Sequence, residues 1–224
     1  MSVRAGGAAP GLRERKKQRT RATIVDVAAR LCAQQGYEKT TVDQIAEAAD
    51  VSPRTFSRYF PNKEAVVGAL IEETSEHVAH ALIRQPRDIT EHEALVRAHI
   101  EVLGAAQRGE PGTMSFDRIS GFLRIVTGSP MLGLAAFTYR PDGPTRAVIE
   151  ALAKRMGVAV DDPAVRILLD TWAVMVAAAV DVPEVATLGP GDILGRIDRA
   201  YAVFTRLWRP WRDQDPTPPG EPGR

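Results

Sequence analysis

Residues 36–63 read GYEKTTVDQIAEAADVSPRTFSRYFPNK, and their spacing predicts two short helices joined by a tight turn. Thr41 suits the N-cap of the first, and Gln44, three residues on, completes the spacing of a capping box that satisfies two orphan amides reciprocally. Val42, Ile45, Ala46 and Ala49 recur at i, i+3, i+4 and i+7, one apolar face of a short helix. Asp50 and Val51 break that pattern. Ser52 then caps a second helix, and Pro53 fits its first position, where a missing N–H costs nothing. Val51 before the cap and Phe56 at the fourth position are spaced for a hydrophobic staple. Pro61 drives Phe60 out of the helical region, so the second helix spans barely two turns. Two short helices, a tight turn and a polar second helix make a helix-turn-helix.

The second helix has the chemistry of a DNA reader. With Phe56 and Phe60 turned inward, Arg54, Thr55, Ser57, Arg58 and Tyr59 remain for the outer surface. Arg54 and Arg58 are four apart and leave the helix on one side. Guanidinium matches the O6 and N7 of guanine, while Ser, Thr and Tyr hydroxyls match phosphate oxygens. The amides capped by Thr41 and Ser52 also favour phosphate. Lys63, in the first turn of the next helix, is placed to touch it too. The expected DNA-contacting set is Thr41, Ser52, Pro53, Arg54, Thr55, Ser57, Arg58, Tyr59 and Lys63.

Net charge is +1 over 224 residues, which by itself says little about nucleic acid. Its distribution is more telling. Residues 1–63 hold twelve Lys and Arg against six Asp and Glu, a net of +6, which leaves −5 for the remainder. A basic N-terminal module on a mildly acidic body is an electrostatic footprint of DNA binding. Residues 1–17 are expected to be a disordered basic arm that tracks phosphates or enters a minor groove; a merely solubilising tail is the alternative. There is no apolar signal segment, and the longest apolar run, 172–180, is half a bilayer span. Cys32 is the only cysteine, so no internal disulfide forms and a reducing cytoplasm is expected, with Cys32 a small core residue.

The rest of the chain carries helical periodicity and no strand pattern. A first helix is expected from about Gln18 to Gln35, stopped by Gly36; a long one from Lys63, capped by Asn62, to about Arg84. Others are expected from Thr90 to Gln107, over 114–126, 130–139 and 144–156, from Asp162–Pro163 onward, and over 192–208. The helix after Pro163 (Val165, Leu168, Leu169, Trp172, Met175, Val176, Ala179) is apolar nearly all round, which predicts burial on every side. The Pro-rich residues 209–224 read as a disordered tail. The fold class is therefore all-α, with a head at 18–64 and a helical body at 65–208.

At Gly36-Tyr37, Thr40-Thr41-Val42, Ile45-Ala46, Ala49, Val51-Ser52, Thr55-Phe56, Tyr59-Phe60 and Lys63-Glu64 the chain resembles the TetR family of bacterial transcriptional regulators. The resemblance covers Arg19 to about Glu73. It implies a three-helix DNA-binding domain, a helical ligand-binding and dimerisation domain, and dimers formed through the last two long helices. Two positions depart from the common pattern: Arg54 where many members have Gly, and Ser57 where many have Tyr. The family's tyrosine–phosphate contact is therefore not carried over to Ser57, and an extra arginine, Arg54, is expected to reach the DNA. The function implied is a ligand-responsive regulator, in the first instance a repressor, binding a near-palindromic operator as a homodimer.

Catalytic or metal chemistry finds no residues to use. There is no phosphate loop, nucleophile elbow or HExxH. His77 and His80 (i, i+3) and His92 and His99 (i, i+7) do not form a zinc-ligand pattern, and no cofactor or metal is expected. A metal-handling helical protein with a helix-turn-helix used for protein contacts is the alternative class; elemental analysis would detect it. The large side chains Met114, Phe116, Phe122, Met131 and Phe137, with His77, Arg118 and Trp172, are the candidate walls of a pocket for a small, largely apolar inducer. Residues 118–157 also resemble the C-terminal domains of TetR-type regulators that answer to acyl-CoA-like ligands. That would lay an acyl chain among Phe122, Met131 and Phe137 and bring Arg118 or Arg124 to phosphate; ion pairing with Asp117 or another carboxylate is the other use of those arginines.

Overall fold

The computed structural model describes residues 11–128, 139–180 and 190–212. Among these there are nine α-helices and no strand. They are α1 (Leu12–Gln35), α2 (Val42–Ala48), α3 (Pro53–Tyr59), α4 (Lys63–Arg84), α5 (Glu91–Gln107), α6 (Phe116–Gly128), α7 (Arg146–Met156), α8 (Pro163–Val180) and α9 (Pro190–Arg212). The helix expected at 130–139 falls almost wholly on residues outside the described ones.

The head is built by local signals. Gly36 takes φ +82°, and its N–H bonds the Cys32 carbonyl, which ends α1. Thr41 Oγ1 accepts from Gln44 N–H at 3.2 Å while Gln44 Oε1 accepts from Thr41 N–H at 3.0 Å, a complete capping box. Asp50 sits in the left-handed region (φ 53°), a conformation Asp tolerates better than most residues, and so turns the chain from α2 into α3. Ser52 caps α3 by accepting from Thr55 N–H at 3.1 Å, and Phe60 is extended before Pro61, as Pro requires of its predecessor. Asn62 caps α4 through Ala65 N–H.

Three expectations are corrected. Helix α1 begins at Leu12, so residues 12–17 are helical rather than a disordered arm: Arg, Glu, Lys and Gln are strong helix formers, and no Gly or Pro falls between Gly11 and Gly36. Helix α9 runs on to Arg212 instead of giving way to a tail at 209; Pro210 near its end forfeits only one backbone bond. Residues 1–10 and 213–224 lie outside the described residues. Finally, α8 is not buried all round. Trp172 is 1 % exposed, but Ile167 and Val174 on its other side are 65 % and 64 % exposed.

The body is a bundle. Helix α4, about 33 Å long from its 22 residues, packs on α7, α5 and α1, and α8 pairs with α9. One continuous apolar core joins head to body, from Ile24, Ile45 and Phe56 through Val66 and Leu70 to Leu95, Ile119, Ile149 and Trp172. The tightest junction is α1 against α6. A Cβ on Gly121 would fall 2.3 Å from the Ala29 carbonyl oxygen, so only glycine admits this approach. Among the described residues no helix is long and apolar enough to cross a membrane.

Candidate functional site

Helix α3 presents two unlike faces. Phe56 (0 % exposed) and Phe60 (3 %) point into the head, their ring centroids 6.1 Å apart. Pro53, Arg54, Ser57 and Arg58 are exposed, and Thr55 and Tyr59 are half-buried. Neither Arg54 nor Arg58 has a carboxylate partner among the described residues; the Arg58 guanidinium lies 5.4 Å from the Tyr59 ring centroid. Several hydroxyls in the expected contact set already have local work. Ser57 Oγ donates to the Pro53 carbonyl at 3.0 Å, and Ser52 Oγ and Thr55 Oγ1 share a 2.9 Å hydrogen bond. Two guanidinium groups therefore dominate the outward surface.

Lys63 departs from expectation. Its Nζ donates to the Tyr37 carbonyl at 2.9 Å and sits 3.9 Å from the Tyr37 ring centroid, while Tyr37 Oη donates to Glu64 Oε1 at 2.8 Å. Burial and then the Glu64 hydrogen bond push the Tyr37 hydroxyl pKa up, and hydrogen bonds from its own backbone N–H and from Tyr37 hold Glu64 below the usual carboxylate range. Lys63 thus pins the start of α4 to the loop after α1, because an ammonium beside a carbonyl and an aromatic face is held there by charge and quadrupole together.

The body holds two adjoining narrow chambers, one between α4, α5, α6, α7 and α8 and the other reaching α9. Thr74, Val78, His99, Phe122 and Trp172 line both. Each has room for about one water-sized body, so a larger occupant requires side chains to part. No Lys, Arg, Asp or Glu lines either chamber among the described residues. His99 is fully buried; desolvation pushes its pKa down to about 4, the 2.8 Å contact from Nδ1 to the Leu95 carbonyl pulling the other way, so the ring is neutral near pH 7. That carbonyl can only accept, which assigns the proton to Nδ1.

Of the sequence-predicted pocket residues, Phe122 and Trp172 line the chambers. Met114 is buried one step behind, its sulfur accepting from Thr74 Oγ1 at 3.5 Å. Met131, Phe137 and the Phe116 side chain lie outside the described residues. Two are corrected. His77 faces an outer groove with Glu76, His80 and Arg84, its Nδ1 2.9 Å from the Glu73 carbonyl one turn back. Arg118 binds Asp26 of α1 at 2.5 Å and both oxygens of Glu73 of α4, which converge on α6; this is the carboxylate pairing given above as its other use, with partners other than Asp117. Arg118 therefore joins head and body rather than facing a ligand. Among the described residues no cluster of three His, Cys, Asp or Glu could hold a metal.

Sequence reasoning missed His99 and Gly121. Each left a signal: a histidine in register with the buried Leu95 and Leu103, and a glycine inside an amphipathic helix, where close backbone approach is the usual reason.

The model of the bacterial regulatory proteins of the tetR family matches residues 24–70. The HTH-type transcriptional regulator TcmR of Streptomyces glaucescens is 37% identical over 161 residues, covering 72% of this chain and 71% of that protein. The chain belongs to the TetR family. Its members are DNA-binding transcriptional regulators, in general ligand-responsive, and are generally not enzymes. A second relative, the uncharacterized regulator YvkB of Bacillus subtilis, is 37% identical over 70 residues, 31% of this chain and 37% of that one. Solved structures of similar fold include a TetR-family regulator from Streptomyces coelicolor (21% identical, 84% of this chain, 99% of that chain, TM-score 0.49). Another is the Thermus thermophilus repressor FadR in complex with lauroyl-CoA (23%, 89%, 100%, 0.48).

Proposed function

We propose that this TetR-family regulator is a cytoplasmic, homodimeric repressor whose α3 reads a near-palindromic operator, and which a small, neutral, largely apolar molecule releases. The observation that carries it is the division of α3: two buried rings fix the helix in the head while Arg54 and Arg58 stand exposed, with no carboxylate partner among the described residues. Arg54 and Arg58 read base edges; Thr41, Ser52, Pro53, Thr55, Ser57 and Tyr59 approach the backbone. Repression follows from occlusion of the promoter.

A dimer accounts for the exposed apolar stripe of the last two helices. Ile167 and Val174 on α8 and Val203 and Leu207 on α9 are 44–66 % exposed, an unusual concentration for a surface facing water. Covered by a second copy, α8 and α9 form half of a four-helix bundle. A Val174→Asp variant is expected to sediment as a monomer, because burying an unpaired carboxylate costs several kcal/mol; an unchanged dimer would exclude this face.

The inducer is expected in the chambers around Thr74, His99, Phe122 and Trp172. Among the described residues their walls offer rings, hydroxyls and a neutral imidazole but no cation, so a neutral molecule fits better than an acyl-CoA-like one. The phosphates of the latter would need a partner other than Arg118. Helix α6 links the two functions: Phe122 faces the chambers while Gly121 abuts α1 and Arg118 holds α1 and α4. Release requires only that the ligand bind the non-DNA-binding arrangement better, since equal affinity shifts nothing.

Selection from a random duplex library tests the proposal. The expected product is a two-fold symmetric sequence with half-sites one or more helical turns apart, about 34–36 Å for one turn. Enrichment of no sequence would overturn it.

A further inference from the structure

The described residues that line the two chambers are all buried, and each chamber holds about 20 Å³, so an occupant must first pass a side chain. The outer groove that His77 faces is far roomier. It has about 470 Å³, enough for a small molecule, and is walled by α4, by α5 and by the loop that joins α5 to α6. Groove and chambers share a thin partition. On α4, Thr74 and Val78 face the chambers while Glu76, His77 and His80 face the groove. On α5, Val102 (7 % exposed) lines both groove and chamber, the one residue among those described that does so.

Two features bear on how this partition opens. A valine in a helix is held in one χ1 rotamer by the branch at its Cβ, so Val102 does not swing aside alone and a neighbour must move with it. The loop supplies that neighbour. Gly109 and Gly112 take φ +65° and +79°, and Thr113 Oγ1 donates to the Glu110 carbonyl at 2.6 Å, which folds the loop back at the end of the groove. The next residue, Met114, is buried, and its sulfur accepts from Thr74 Oγ1 at 3.5 Å. An unbranched thioether adapts its shape readily. Met114 therefore ties the loop on the groove side to a wall of the chambers.

We propose that the α4–α5 groove is the mouth of the inducer site and that Val102 is the gate between this mouth and the chambers. This rests on the reading of the chambers as the inducer's place. A molecule on this path meets polar side chains at the mouth and only apolar and uncharged ones inside. The class it suits is a slender, neutral molecule with one hydrogen-bonding end, which enters with its apolar end leading. Val102 controls access to the chambers: a smaller side chain there lets small molecules in faster.

The test reads the access of acrylamide, a small neutral quencher, to Trp172, which is buried and lines both chambers. Trp208→Phe/Trp211→Phe leaves Trp172 as the one tryptophan of the full chain. In that background Val102→Ala is expected to raise the quenching constant about fivefold, because two methyl groups fewer must leave their packing at each opening. Val126→Ala removes the same two methyl groups from a chamber wall that does not border the groove, and is expected to have a much smaller effect. Thr113→Cys carries a reversible plug at the groove: a benzyl disulfide formed there should lower quenching and dithiothreitol should restore it, the native Cys32 being buried. Equal effects of the two alanine variants, or quenching unmoved by the plug, would overturn the gate while leaving the chambers as the inducer's place. If prodan, a neutral and largely apolar dye, took no energy from Trp172 even in Val102→Ala, the reading of the chambers and this inference would fall together.

Discussion

In the head, the rings that hold α3 are inside and the groups proposed to act are outside; in the body the arrangement is inverted. Phe56 and Phe60 are buried beneath exposed Arg54 and Arg58, whereas Phe122, Trp172 and His99 lie inside and α8 and α9 expose the apolar side chains Ile167, Val174, Val203 and Leu207. A surface site can be written in seven consecutive residues, because a helix fixes which of them face out. The interior site is assembled from six helices, α4 to α9, and no local stretch defines it. The contrast also separates stability from function: substitutions in the head can remove one without the other, while in the body the same residues serve both.

Phe56→Ala would press hardest on this contrast. Truncating a fully buried aromatic costs about 3–5 kcal/mol, a large part of a domain's marginal stability, so denaturant midpoints should fall sharply. A midpoint shift below about 1 kcal/mol would mean that Phe56 does not anchor α3.

His99 gives the body a pH dependence. Its folded pKa, about 4, lies below its ordinary 6.5, so the unfolded chain binds the proton more readily between those values. Stability from this residue is complete above pH 6.5 and is lost as pH falls toward 4, by up to about 3 kcal/mol. His99→Gln should flatten that loss in urea titrations at pH 7 and pH 4.5; an equally steep loss in the variant would place its origin elsewhere.

Gly121→Val tests the junction between the two regions. Its side chain would meet the Ala29 backbone, and overpacking of this kind costs about 1–3 kcal/mol. A lower Tm together with altered DNA affinity is expected, since α1 and α6 must separate. An unchanged Tm would show that the helices are not in register at this point.

The smallest effect on stability, within about 0.5 kcal/mol, is expected for Arg54→Ala and Arg58→Ala, which remove exposed side chains without ion pairs.

How much was legible follows the same division. The caps at Thr41, Ser52 and Asn62, the stop at Gly36 and the break before Pro61 are all within four residues of what they control, and all are present as spacing predicted. Of the two uses open to Arg118, ion pairing with a carboxylate is the one found, but its partners Asp26 and Glu73 are 92 and 45 residues away, and only packing brings them to it. His77 was grouped with the pocket walls, but its position on α4 turns it to the outer groove. The start of α1 was set too late because no cap marks it, and charge alone does not distinguish a solvated coil from a solvated helix.

The central claim is that exposed α3 guanidinium groups read sequence, and the most direct test is the binding of Arg58→Ala to the selected and scrambled duplexes at one salt concentration. The expected result is a loss of about 1–3 kcal/mol in the preference for the selected duplex, with binding to the scrambled one largely retained. An undiminished preference in Arg58→Ala, and likewise in Arg54→Ala, would contradict it.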